Sequence, residues 1–390
     1  MPLPPAIRLT GKGRRWRLSG HPWIYRDDLA AEPDLAAGEL VRVESPRGEF
    51  LGQAFYSALS RIALRFVTFD SEAVDDNFWA ARLDNALALR ARVVRDTDAC
   101  RLIYGEADGF PGLVVDSYAG HLAVQVLHPG MERRLPDLIN LFKVRLAPAS
   151  ITLRQDAEVR RLEGLPLEEV QTVWGNVPDP LVVQEGPVRC LVDIRAGQKT
   201  GLFLDQRENR LAAGFLARGE ILDAFAYQGG FALHLAAGAK KVTLVESSAA
   251  ALAMAQENAR LNGIANFEPV RANVFSFLKK AVQEGRRYDV IVLDPPAFAK
   301  SRRDRPAALK GYLELNRRAF QLLRPQGLLV TCSCSYNVRE EEFLDLVRQA
   351  AALEGRQARL LERRGAARDH PALLSLPESL YLKCLFVEIF

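Results

Sequence analysis

Four apolar runs in the C-terminal half constrain the fold more than any other feature. They are Ile221-Leu222-Asp223-Ala224-Phe225, Lys241-Val242-Thr243-Leu244-Val245-Glu246, Asp289-Val290-Ile291-Val292-Leu293-Asp294 and Leu328-Leu329-Val330-Thr331-Cys332. Their hydrophobicity is nearly continuous rather than alternating, as expected of strands buried on both faces of a parallel sheet. Helical stretches lie between them, Ala249 to Asn262 among them, so the pattern after about residue 189 is strand, helix, strand, helix. That order predicts an open α/β sheet, with Ser379 to Glu388 as a late strand of it. Ligands of such sheets bind outside the carboxyl ends of the strands. The residues at those ends are therefore the candidates for chemistry.

The first run leads into Asp223-Ala224-Phe225-Ala226-Tyr227-Gln228-Gly229-Gly230-Phe231, a strand-to-helix loop in which Gly229 and Gly230 let backbone approach a ligand. Glu246 closes the next strand, where a carboxylate can accept hydrogen bonds from ribose hydroxyls. The glycine spacing is not GxGxxG, which disfavours a dinucleotide. An acid ahead of the glycines suits a cationic cofactor without phosphate, and S-adenosyl-L-methionine meets both conditions. A tight turn without a ligand is the plain alternative.

At the third strand end, Asp294-Pro295-Pro296-Ala297-Phe298 makes a stiff turn. Its carboxylate can accept from an exocyclic amine of a nucleobase, with Phe298 beside it to stack. Lys300, Arg302, Arg303, Arg305 and Lys310 follow, either a guide for a nucleic acid backbone or a solvated helix start. The fourth strand runs into Thr331-Cys332-Ser333-Cys334-Ser335. Carbon 5 of cytosine is too weak a nucleophile to accept a methyl group unaided. A thiolate added at carbon 6 makes it enamine-like, so a thiol here gives the loop, the acid and the turn a common purpose. Cys100, Cys190 and Cys384, each inside an apolar run, read as small buried side chains.

The first half is organised differently. Gly38 to Phe69 alternates apolar and polar residues in short runs and predicts a small β-barrel. From Asp75-Asp76, a helix cap, a helix to Val94 opens an α+β unit. It continues with strands at Leu113-Val115 and Leu122-Val126, a helix over Pro136 to Leu146 and a strand at Ile151-Leu153. Gly175 to Pro180 is turn-rich and marks a junction. Net charge is only +4, from 52 Lys and Arg against 48 Asp and Glu, yet residues 1 to 26 hold Arg8, Lys12, Arg14, Arg15, Arg17 and Arg26 and no acid. Trp16, Trp23 and Tyr25 are interleaved, a composition that can meet phosphates and stack on bases. A solvated, loosely ordered arm explains the same residues. No apolar run approaches the ~20 residues of a membrane span, no metal-ligand spacing occurs, and five cysteines without a disulfide spacing fit the cytoplasm.

These motifs, with Gln198-Lys199-Thr200-Gly201-Leu202-Phe203-Leu204-Asp205-Gln206-Arg207, resemble the S-adenosylmethionine-dependent 5-methylcytosine methyltransferases of RNA. The chain is most similar to the bacterial 23S ribosomal RNA family that carries an N-terminal PUA domain. The resemblance spans nearly the whole chain. It implies an α/β fold in three parts: a PUA-like RNA-binding barrel over 1–71, a central α+β RNA-binding domain over 72–188 and a class I, Rossmann-like methyltransferase domain over 189–390. It implies S-adenosyl-L-methionine held by Thr200, Phe203, Gln206, Phe225, Gly229, Glu246, Ser247, Asn273 and Asp294, with Asn273 where many such enzymes have Asp facing the adenine amine. RNA contacts fall to Lys12, Arg14, Arg15, Arg17, Trp23, Phe298, Lys300, Arg302 and Arg303. Catalysis falls to Asp294 and one of two thiols. Glu340 and Glu342 follow Cys334 at the spacing the family's acids keep, which selects Cys334, whereas the Thr-Cys-Ser letters fit Cys332. Many relatives carry a second cysteine where this chain has Ala297. The expected partner is ribosomal RNA, 23S or a large-subunit precursor, with no membrane and no metal, and with room for a homodimer. The rivals are an N2-guanine or N6-adenine methyltransferase, which needs no thiol, and a non-catalytic RNA-binding assembly factor.

Overall fold

A computed structural model describes residues 4–197, 199–299 and 301–390. The chain packs into two compact units. The first comprises Met1–Val183, Val192–Leu204 and Arg368–Ser379, and the second Gln184–Leu191, Asp205–Ala367 and Leu380–Phe390. No helix among the described residues is long and apolar enough to cross a membrane.

The first unit begins with β1 (Ala6–Arg8), α1 (Gly11–Leu18), β2 (Trp23–Tyr25), β3 (Leu40–Glu44), β4 (Phe50–Tyr56) and β5 (Ile62–Thr68), whose strands form one sheet in the order β1-β3-β4-β5-β2. Alternation predicted β3 to β5. At Gly52 (φ +137°) a Cβ would meet the Thr68 carbonyl oxygen at 2.6 Å, so only glycine fits there. The arm is not loose. The Thr10 hydroxyl accepts from the Gly13 N–H at 3.0 Å and caps α1, a start signal that the basic residues obscured.

The same unit continues with α2 (Asp76–Val93), β6 (Ala99–Tyr104), β7 (Leu113–Tyr118), β8 (His121–Val126), α3 (Pro129–Glu132), α4 (Leu135–Leu146), β9 (Ser150–Leu153) and β10 (Gln171–Gly175). Its sheet runs β10-β9-β8-β7-β6. The Asp75 carboxylate accepts from Phe78 N–H at 3.0 Å, as the cap expectation required. Phe55 of β4 stacks on Trp79 of α2 with centroids 6.2 Å apart, so the two sheets share one core. Cys100, expected to be buried, is only partly so because β6 is an edge strand.

A two-stranded hairpin, β11 (Leu181–Glu185) and β12 (Val188–Val192), follows. The second unit then alternates strands and helices: α5 (Arg207–Phe215), β13 (Gly219–Ala224), α6 (Gly230–Leu235), β14 (Ala239–Glu246), α7 (Ala249–Leu261), β15 (Phe267–Arg271), α8 (Val274–Gln283), β16 (Tyr288–Leu293), α9 (Arg305–Leu322), β17 (Leu323–Ser333), α10 (Glu340–Leu353), β18 (Ala358–Arg364) and β19 (Lys383–Ile389). The sheet order is β15-β14-β13-β16-β17-β19-β18. β15 to β17 pair in parallel, and β19 lies antiparallel to β17 and β18. Side chains alternate between two cores. Leu222, Ile291 and Leu329 enter one with α8, α9 and α10; Ile221, Val290, Val330 and Cys332 enter the other with α5, α6 and α7. The order reverses on either side of β13, so the loops after β13 and β16 border the crevice that such a reversal opens.

Candidate active site

The loop after β13 carries visible strain. Phe225 and Tyr227 have φ of 64° and 48°, and Gly229 has φ of 80°. Non-glycine residues in that region cost of order 1 kcal/mol or more and cluster at functional sites. The strain brings three backbone N–H groups onto the end of β14: Phe225 and Ala226 donate to the Val245 carbonyl at 3.0 and 3.2 Å, and Tyr227 donates to Glu246 Oε2 at 3.1 Å. Glu246 Oε1 accepts from the N–H groups of Ser247 and Ser248 at 2.7 and 2.8 Å and from the Ser247 hydroxyl at 3.0 Å. Four donors thus orient the carboxylate expected at the ribose.

Asp223, fully buried at the foot of the loop, accepts the Ala232 N–H at 3.0 Å. Burial, together with the negative charges of Asp294 and Glu246, pushes its carboxyl up to about 8. The two remaining charges, Asp294 and Glu246, beside an acid that burial holds protonated, favour a cation here. The buried Gln228 Oε1 is also left without a hydrogen-bond partner. An acidic, polar cradle of this kind fits a cationic cofactor without phosphate. Asn273, exposed at the start of α8, caps that helix, its side-chain oxygen accepting the Ser276 N–H at 3.2 Å.

Asp294 ends β16, where Gln206 Nε2 donates to its Oδ1 at 2.9 Å. Asn209 in turn donates to Gln206 Oε1 at 2.6 Å, a chain that fixes the direction of the Asp294 carboxylate. Beyond the two prolines, Phe298 joins an aromatic group, with its ring 4.8 Å from Tyr312, 6.1 Å from Phe275 and 6.5 Å from Phe225. Arg302 and Arg303 are exposed, and Lys300 lies outside the described residues. Arg305 pairs with Glu342.

The two cysteines separate where β17 ends. Cys332 is completely buried and faces Cys384 in the β17–β19 register. Burial and that second sulfur hold its thiol well above the usual range. Cys334, two residues on, is partly exposed, with Sγ 3.7 Å from the Pro295 carbonyl oxygen. The turn after β16 and the end of β17 therefore share one locus. The flanking serines anchor it: the Ser333 and Ser335 hydroxyls lie 3.0 and 2.9 Å from the Tyr312 hydroxyl, and the Ala299 N–H donates to the Ser335 hydroxyl at 3.2 Å.

In the first unit, Thr200 is buried and already engaged. Its hydroxyl donates to Asp116 Oδ2 at 2.5 Å and bonds the Tyr118 hydroxyl at 2.9 Å, while Arg101 grips Asp116 with two bonds of 2.8 Å. Phe203 lies under Lys199, whose Nζ is 4.5 Å from the ring centroid. Among the basic arm residues, Lys12 pairs with Asp28 at 3.1 Å and Arg14 with Glu49 at 3.3 Å. Arg17 donates to the Leu51 carbonyl at 2.9 Å and lies 3.6 Å over Phe69. Trp23 donates to Glu106 at 2.8 Å beneath Arg65. Arg15 is exposed. Sequence reasoning missed Cys384 opposite Cys332, the buried state of Asp223, and Lys383; each needs a strand register that composition does not encode.

Residues 7–69 match a PUA-like domain, and residues 149–374 match the S-adenosylmethionine-dependent methyltransferase family. The chain is 40% identical to the "Ribosomal RNA large subunit methyltransferase I" of Aeromonas salmonicida over 387 residues, covering 97% of this chain and 98% of that one. This chain belongs to that methyltransferase family. The protein of the same name in Klebsiella pneumoniae strain 342 is 38% identical over 384 residues, 96% of each chain. A solved methyltransferase complexed with SAH superposes with a TM-score of 0.85 over 98% of this chain and all of that chain, at 20% identity. That likeness carries the fold: an α/β chain with a PUA-like N-terminal domain and a Rossmann-like methyltransferase domain. As a member of the S-adenosylmethionine-dependent methyltransferases, the chain takes S-adenosyl-L-methionine as its cofactor.

Proposed function

We propose that the chain methylates carbon 5 of a cytosine in large-subunit ribosomal RNA, 23S in a bacterial ribosome, through a bond from Cys334 to carbon 6. The relatives' names support the RNA. The carbon 5 chemistry rests on one observation: the partly exposed Cys334 stands 3.7 Å from the Pro295 carbonyl while Cys332 is withdrawn into the core.

The residues act in sequence. Gln206 aims Asp294, which accepts a hydrogen bond from the cytosine amine and holds the extruded base. The Cys334 thiolate donates its electron pair to carbon 6, and carbon 5 becomes nucleophilic. When bound, S-adenosyl-L-methionine supplies the electrophilic methyl group. The carbon 5 proton then leaves to a base, the ring double bond re-forms, and the Cys334–carbon 6 bond breaks to return the thiolate. Ala297 offers no second thiol to that elimination. Burial argues against Cys332 as its substitute.

Glu246 and Ser247 serve the ribose, Asn273 the adenine, and Phe225 and Gly229 the loop around them. The exposed Lys12 and Arg15 carry phosphate contacts with Arg14 beside them, while Arg17 Nε and Trp23 Nε1 donate within the unit. Arg302, Arg303 and Lys300 complete the RNA set, with Phe298 beside the base. We take 1–71, 72–188 and 189–390 as the working segments and the cytoplasm as the compartment. The experiment is trapping with 5-fluorocytosine RNA, which cannot lose its carbon 5 substituent as a proton. A stable adduct should map to Cys334. An adduct on Cys332 reassigns the thiol. Full methyl transfer by the Cys332→Ala, Cys334→Ala double variant would replace this reading with methylation of an exocyclic amine.

A further inference from the structure

We infer that Lys383 is a positioning residue whose ammonium holds the Cys334 segment and favours the Cys334 thiolate; this rests on the reading of Cys334 as nucleophile. Lys383 interrupts the apolar strand Lys383-Cys384-Leu385-Phe386-Val387 and pairs with Ser333 in the β17–β19 register. Its Nζ donates to the carbonyl of Ser335, the residue after Cys334, at 2.7 Å and to that of Tyr381 at 2.8 Å. The side chain is nearly dry, with 4% of the residue exposed. Among the described residues no carboxylate lies within ion-pair distance of Nζ.

A buried ammonium without a counter-ion is expensive, and two carbonyl dipoles offset only part of that cost. A neutral amide donor could bond the same two carbonyls without burying a charge, so the charge itself needs a use. The charged and titratable groups that face it are Cys334 beyond β17 and Glu340 at the start of α10. Tyr312 of α9, bonded to Ser333 and Ser335, also feels Cys334, and Asp294 acts on Cys332. Burial lowers the Lys383 ammonium to about 8, against the opposing pull of Cys334 and Glu340. The amine is therefore mostly protonated at neutral pH. Coupling between two titrations is reciprocal. If the thiolate helps Lys383 keep its proton, the ammonium helps Cys334 lose its own to solvent.

The test is the pH dependence of Cys334 alkylation by iodoacetamide, read by peptide mass spectrometry in the full chain. Lys383→Gln should raise the alkylation midpoint by about one unit and slow the reaction at pH 7 roughly tenfold. Lys383→Arg, which keeps the charge, should restore most of the rate. Calorimetry of S-adenosyl-L-methionine binding identifies a folded variant. An unchanged profile in folded Lys383→Gln overturns the inference. Wild type decides by itself if that variant does not fold: a Cys334 midpoint at least half a unit below the ~8.5 of an ordinary thiol supports the coupling, and a higher one overturns it. Alkylation reads Cys334 whether or not it attacks RNA. A shifted profile beside active Cys334→Ala therefore removes the nucleophile reading and leaves the coupling intact.

Discussion

A strand end separates two cysteines that the sequence presents as near equivalents. Cys332 lies in the last hydrogen-bonded stretch of β17 opposite Cys384, and burial keeps it a thiol. Cys334 has left the ladder and reached the turn after β16. Cys334→Ala should abolish methyl transfer and leave cofactor affinity near wild type, whereas Cys332→Ala should retain turnover and lose of order 1 kcal/mol of stability from its small cavity. Radiolabel transfer and denaturant titration of the two variants check this, and loss of turnover in Cys332→Ala alone would reverse the roles. Glu246 permits a separate measurement. Its carboxylate is aimed by four donors, so Glu246→Ala should weaken S-adenosyl-L-methionine by about 1.5–3 kcal/mol, roughly ten- to hundredfold. Unchanged calorimetric affinity would remove Glu246 from the ribose.

At the scale of elements, the β13 loop couples folding to pH. Asp223 is raised from the ordinary carboxyl range to about 8, so the folded chain keeps a proton that the unfolded chain releases near pH 4. The stability from that proton is present below about pH 4 and is lost as pH rises toward 8. Denaturant midpoints of the ligand-free protein should therefore fall across that range. Asp223→Asn, which can still accept from Ala232, should flatten the fall, and parallel curves for the two proteins would contradict the assignment. A bound cation should also expel the proton. Calorimetry near pH 7 in buffers of different ionisation enthalpy should then show proton release on S-adenosyl-L-methionine binding. α1 illustrates the opposite kind of constraint, one of space. A Cβ on Gly13 would lie 2.6 Å from the Asp28 carbonyl oxygen, so a helix-favouring Ala there should destabilise the unit rather than help it.

Across the whole molecule, a net charge of +4 hides a basic N-terminus. Arg14 reaches only a surface ion pair, which solvent and salt weaken, Lys12 keeps an exposed ammonium over the buried Asp28, and Arg15 is exposed. A Lys12→Ala, Arg14→Ala, Arg15→Ala variant should bind large-subunit RNA more weakly, with the slope of log K against log salt reduced by about 2 to 3. Its cofactor affinity should match wild type. Filter binding with an unchanged slope would place RNA contact elsewhere.

The residues alone determined the parallel-sheet fold, the cofactor class and the motif ends at Glu246, Asp294 and Cys334, because continuous apolar runs and the residues that stop them are local properties of a chain. Local patterns also located the β3 to β5 sheet and the Asp75 cap. They failed for α1, whose Thr10 cap was masked by charge, and for the half-buried β15 and the exposed β18, which lack a buried periodicity. Tertiary structure decided the rest. Only the antiparallel return of β19 sets Cys384 against Cys332 and brings Lys383 to the Ser335 carbonyl. Only burial beside two other acids makes Asp223 a proton-holding group. Register and desolvation are relations between distant segments, and no stretch of sequence contains them.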